Sequence, residues 1–213
     1  MLKFILSTLL LVTTSAPFAQ QPIAEPTPIA MPSDRAADSY AIYSQLLPSD
    51  AIEWGNVPRA AWLLEDRTVT PTDDPRQAIE APKERKADLQ ALFDDYDAHK
   101  AEIITLYSSG FNTQLPVRLA DKDAQARYIA IRGGVTLSQA HEFASHKHDF
   151  DIFIGVAGMH SFSQVFFNAD HSLAMVHFGI SCGTTCGNWT WVVLQRKDGN
   201  WAMLPWVHSF SVS

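Results

Sequence analysis

Apolar and polar positions alternate through much of residues 161–207, in four runs separated by turn-forming residues. That period of two, interrupted at regular intervals, predicts a four-stranded β-meander. The runs are 161–168, 172–180, 189–196 and 201–207. Asn168-Ala169-Asp170 parts the first two and Lys197-Asp198-Gly199-Asn200 the last two. Asp-Gly between apolar runs marks a tight hairpin, because both residues tolerate the positive φ of a primed turn. Trp189, Trp191 and Val193 fall on one face, and Val192 and Leu194 on the other. With aromatic residues on both faces, helices are expected to cover one side of the sheet and other chain to cover the second in part. Pro205 lacks the donor of a sheet ladder and puts the last strand at an edge.

Upstream the period lengthens. Residues 33–47 predict a helix capped by Ser33 or Asp34, with Ala37, Tyr40, Ala41, Ser44 and Leu47 along one side. Residues 82–99 predict a longer one, with Pro82 at its first position and Leu89, Leu92, Phe93 and Tyr96 as its buried stripe. Lys83, Glu84, Lys86, Asp94, Asp95 and Asp97 then form a solvated face. Residues 60–70 read as a strand, with Trp62 and Leu64 opposed to Leu63 and Glu65. Residues 126–132 also read as a strand, ended by Gly133-Gly134. Thr136-Leu137-Ser138-Gln139 matches a capping box and opens a short helix towards Ser145. Residues 150–158 are a strand or a buried connection. The fold class expected is α+β, with two or three helices on a mostly antiparallel sheet that ends in the meander.

The amino terminus adds a location. Lys3, the apolar run 4–12 and the small residues up to Ala19 follow the order of a secretory signal, read as residues 1–19. The apolar run is shorter than the roughly 20 residues a membrane span needs. The alternative is an uncleaved anchor. Residues 20–33 hold Pro22, Pro26, Pro28 and Pro32 and read as a disordered spacer, unable to bury enough surface to offset its ordering entropy. Residues 34–213 have the size of one domain. The expected site of action is the periplasm or the extracellular space, with no membrane span once the signal is cleaved.

Formal net charge is −7, with no run of Lys or Arg. That excludes nucleic acid as a partner, since a basic face is needed to displace its counterions.

Candidate chemistry is sparse. Cys182 and Cys186 are the only cysteines, and their spacing lets the two Cα atoms come within disulfide range. In an oxidising compartment a structural bridge is the leading reading, beside a thiol-disulfide site or a metal site with His171 or His177. His141, His146 and His148 cluster with Asp149 and Asp151. If extended, His146 and His148 share a face and, with Asp149, offer ligands for a metal-assisted hydrolase; the plainer reading is a polar loop. Glu65 with Asp66, or Asp149 with Asp151, offers an acid/base pair, with no sequence signal that raises either pKa. No serine lies in a Gly-x-Ser-x-Gly elbow. No cofactor is implied.

His160-Ser161-Phe162-Ser163-Gln164-Val165-Phe166-Phe167-Asn168, Leu173-Ala174-Met175-Val176, the pairs Cys182-Gly183 and Cys186-Gly187, and Gly199-Asn200-Trp201 form a recognisable series. It resembles a group of exported bacterial proteins of unknown function. Those end in a Ser-Arg-Val-Gly-Phe-Asn strand, a Cys-Gly-x-x-Cys-Gly loop and a Gly-Lys-Trp hairpin. Here Gln164 stands for the arginine and Phe166 for the glycine. The resemblance implies export and the meander, and no activity. Together these readings lead to a non-enzymatic envelope protein that binds a small ligand or a partner through sheet aromatics, with Trp189, Trp191 and Trp201 as candidates. The metal-assisted hydrolase is the alternative.

Overall fold

The computed structural model describes residues 26–47, 59–132, 152–183, 186–208 and 210–212. The fold is α+β: three helices pack on a mixed, mostly antiparallel sheet whose carboxy-terminal strands form a meander. No helix among the described residues is long and apolar enough to cross a membrane.

Helix α1, Ser33–Leu46, begins after Pro32, and no side chain caps it. It buries Ser39, Ile42, Tyr43 and Leu46, whereas Ala37 and Ala41 face solvent. The predicted stripe through Ala37, Tyr40, Ala41 and Ser44 thus lies nearly opposite the buried side, and of its members only Leu47, just past the helix end, is fully buried. The helix turns inward the side with the larger apolar area, because burial free energy scales with that area.

Helix α2, Lys86–His99, follows a 3₁₀ turn at Lys83–Arg85 and buries the predicted Leu89, Leu92, Phe93 and Tyr96. Helix α3, Lys122–Arg132, replaces the strand expected at 126–132. The cause lies just upstream, where the Asp121 carboxylate accepts the Ala124 N–H at 2.8 Å, an N-cap that the strand reading overlooked. Ala124 and Tyr128, four residues apart, are buried, and Ile129 is left 52% exposed. A second correction concerns the spacer. Strand β1, Ile29–Ala30, inside the stretch read as a spacer, pairs in parallel with β3, Ile104–Thr105, and residues 20–25 of that stretch lie outside the described residues. Its backbone finds ladder partners that its composition does not announce.

The main sheet uses β2 (Trp62–Glu65), β4 (Val117–Ala120), β5 (Met159–Phe162), β6 (Phe166–Phe167), β7 (Leu173–Gly183), β8 (Cys186–Lys197), β9 (Asn200–Leu204) and β10 (Phe210–Val212). Its order is β10-β8-β7-β5-β2-β4, with β6 also on β7 and β9 also on β8. β2 runs parallel to both β4 and β5, and the remaining pairs are antiparallel. The first predicted run breaks into β5 and β6 around Ser163, whose carbonyl accepts the Tyr43 hydroxyl and whose Oγ accepts the His177 N–H. The Asp-Gly hairpin forms as expected, with φ of 52° at Asp198 and 81° at Gly199.

Period two sorts the strands between two cores. One face carries Trp62, Leu64, Phe162, Val176, Leu194 and Trp201 and packs on α1 through Ile42, Tyr43 and Leu46. The opposite face is shared by α2, over Phe166, Met175, Trp191 and Val193, and α3, over Leu63 and Met159.

Candidate functional site

Between the areas covered by α2 and α3, the second face carries polar side chains. The register pairs Ser161 of β5 with Gly179 of β7, and Gly179 with Trp189 of β8. One step past the last pair of β2 and β5, Leu64 with His160, Glu65 stands level with Ser161. Two residues along β7, His177 faces Trp191 across the ladder. Glu65, Ser161, His177 and Trp189 therefore share one strip of sheet, which ends at Trp191 beneath α2.

The Trp189 ring lies over Gly179. A Cβ on Gly179 would stand 2.2 Å from the ring's Cδ1 and 2.3 Å from its Nε1. Gly179→Ala is accordingly expected to displace the ring and to lower stability by about 1–3 kcal/mol. Denaturant titration with Trp emission checks both effects, and a wild-type midpoint with an unshifted spectrum would contradict the packing.

His177 and Trp191 are 3% and 2% exposed, with ring centroids 5.0 Å apart. The His177 Nε2 and the Trp191 Nε1 are buried without a hydrogen-bond partner among the described residues. An unpaired buried polar atom costs about 1–3 kcal/mol, and here two belong to neighbouring rings. Burial pulls the His177 pKa down, against the opposing charge of Asp73, so the imidazole is kept neutral. Burial first, and then the Asp66 charge, push the Glu65 carboxyl up to about 7, against the pull of Arg67. His160 points to the other face, stacked on Phe178 and edge-on to Trp62. Burial brings its pKa down to about 4, although the hydrogen bond with the Leu63 carbonyl opposes this.

The three predicted tryptophans do not converge. Trp189 and Trp191 lie on the strip, whereas Trp201, 7% exposed, belongs to the core beneath α1. Strand parity explains the split, since Trp201 pairs with Arg196 and so shares a face with Leu194. His141, His146, His148, Asp149 and Asp151 lie outside the described residues. Among the described residues no three His, Cys, Asp or Glu come together as metal ligands. Cys182 sits near the end of β7, and Cys186 opens β8 opposite Gly183.

Sequence reasoning missed a second polar cluster. Asp95, assigned to a solvated face, takes a two-point hydrogen bond from Arg35 of α1, at 2.5 and 3.1 Å, and the Phe167 N–H at 2.8 Å. Nearby, Asp38 of α1 meets His171 at 3.4 Å and Arg196 at 3.3 Å. His171 has a φ of 54° and stacks on Phe167 at 4.4 Å. These pairs span 60 to 158 residues of sequence, and no local pattern could have signalled them. Each group has a partner, so the cluster joins α1 to α2 and the sheet.

No family model, curated protein or solved structure matches the chain.

Proposed function

We propose that this is an exported protein of the periplasm or extracellular space that binds a small ligand or an envelope partner without catalysis. The observation that carries the reading is the pair of orphaned nitrogens on His177 and Trp191. A fold rarely leaves two buried polar atoms of neighbouring rings unpaired, and a binding site is one setting where that cost is recovered. A neutral molecule with one acceptor for the indole N–H and one complementary group for the imidazole meets their demands. Trp189 beside them supplies an aromatic wall.

A Cys182–Cys186 bridge belongs to the same reading. In support, Cys182 is not a free thiol, and the ladder sets Cys186 one residue from it across the strands. Such a small ring removes about 3 kcal/mol or less of chain entropy from the unfolded state. It pins the hairpin tip more than it holds the domain. Export rests on the amino-terminal pattern and on the resemblance to exported bacterial proteins, and amino-terminal sequencing of the released product should begin at Gln20.

Binding is tested by thermal shift against a panel of small neutral amides and hydroxy-carbonyl compounds, using wild type, His177→Phe and Trp191→Phe. Both variants are expected to melt at or above the wild-type temperature and to lose whatever shift a compound produces. Variants that melt higher and still respond like wild type would mean that the orphaned atoms are strain without a ligand.

A further inference from the structure

Away from the strip, the segment after Ala78 and the segment after Leu204 run side by side. The Glu80 N–H donates to the Trp206 carbonyl, the His208 N–H donates to the Ala78 carbonyl, and Ile79 bridges Val207. With the 3₁₀ turn ahead of α2 they enclose a groove of about 490 Å³. It is lined by the apolar Ala81, Pro82, Pro205 and Trp206 together with Lys83, Lys86, Glu80 and His208. The volume falls in the range of small-molecule sites.

Arg35, Arg67, Arg76, Arg85, Lys100 and Arg196 are each matched by an aspartate. Lys83 and Lys86, like Lys197 at the end of β8, are exposed and make no ion pair or hydrogen bond among the described residues. Lys83 and Lys86 both line this groove. Arg85, between them in sequence, is paired with Asp88 and lies over the Trp206 ring at 5.2 Å. In a chain of net charge −7, two free cations beside apolar side chains, against one carboxylate, favour an occupant with the opposite layout.

We infer that this groove binds a small amphiphilic anion, its apolar body against Pro82, Pro205 and Trp206 and its anionic head between Lys83 and Lys86. The site is separate from the His177 strip and stands or falls independently of it.

The probe is 1-anilinonaphthalene-8-sulfonate, an aromatic sulfonate of this layout, added to the mature full-length protein and followed by energy transfer from tryptophan. Saturable binding at a single site is expected. Lys83→Glu with Lys86→Glu should weaken it by about tenfold or more, whereas Lys197→Glu, an exposed lysine on β8, should change it by less than about twofold. The Lys83→Gln/Lys86→Gln pair should give an intermediate loss, and circular dichroism checks that each variant is folded. The uncharged N-phenyl-1-naphthylamine should bind more weakly than the sulfonate and show no response to the charge reversal. His177→Phe should leave binding of the sulfonate intact, which separates this site from the strip. Absence of saturable binding, or affinity that survives the double charge reversal in a folded protein, overturns the inference.

Discussion

Glu65→Gln is expected to remove a pH-dependent loss of stability that the native protein suffers between about pH 4.5 and 7. The native carboxyl titrates at about 7 and the unfolded one at its ordinary 4.5. In that interval the folded chain holds a proton that the unfolded chain has released. The stabilisation is complete below the unfolded value and disappears as pH rises through the folded one. A difference of that size corresponds to about 3 kcal/mol. Gln keeps the shape and does not titrate, so the variant should match wild type near pH 4 and exceed it by up to about 3 kcal/mol at pH 8. His160 works in the opposite sense. Its folded pKa lies at about 4, so its contribution is present above the ordinary imidazole value and is lost as pH falls. Taking the difference between variant and wild type cancels that term. Equilibrium unfolding in urea across pH 4–8 is the measurement, and parallel curves for the two proteins would show that Glu65 does not sit in the environment described. If Glu65 also serves a ligand on the strip, the stabilised variant will bind less well, the usual exchange of stability for function.

Asp95→Ala is expected to destabilise the fold by about 3 kcal/mol, near the lower bound for breaking a buried ion pair because both partners retain some solvent. The side chains of Arg35 and Asp95 are 17% and 14% exposed. Removal leaves the guanidinium without its counter-charge and the Phe167 N–H without its acceptor. It also severs the link from α1 to α2 and β6 in one step. Replacing both partners, as Arg35→Met with Asp95→Leu, should recover much of the loss, since no buried charge is then left alone. Guanidinium titrations of the two single variants and the double variant close the cycle. An Asp95→Ala protein within about 1 kcal/mol of wild type would place this pair with ordinary surface salt bridges.

Local pattern served well wherever one strong signal acted alone. Leu89, Leu92, Phe93 and Tyr96 lie inward on α2 because no other side of that segment offers comparable apolar area. Asp198-Gly199 turns as expected because few other residue pairs adopt its backbone. Where two local signals are of similar strength, tertiary packing decides between them. Residues 126–132 alternate like a strand, yet the Asp121 cap and the spacing of Ala124 and Tyr128 make a helix. On α1 the row of small residues competed with Ile42, Tyr43 and Leu46, and the larger side chains prevailed.

Chain order and side-chain period were enough to determine an α+β fold, the strands of its meander, and which face Trp189, Trp191 and Val193 share. They could not say what lies against those faces. The parallel seating of β2 between β4 and β5, the sharing of one face by α2 and α3, the orphaned nitrogens on His177 and Trp191, and the elevated Glu65 carboxyl come from packing. So do the Asp95 junction and the unmatched lysines of the second groove. The physical reason is one of range. Secondary structure answers to neighbours within about one helical turn or one strand pair, whereas desolvation and charge pairing answer to whatever the tertiary fold brings near, however distant in sequence.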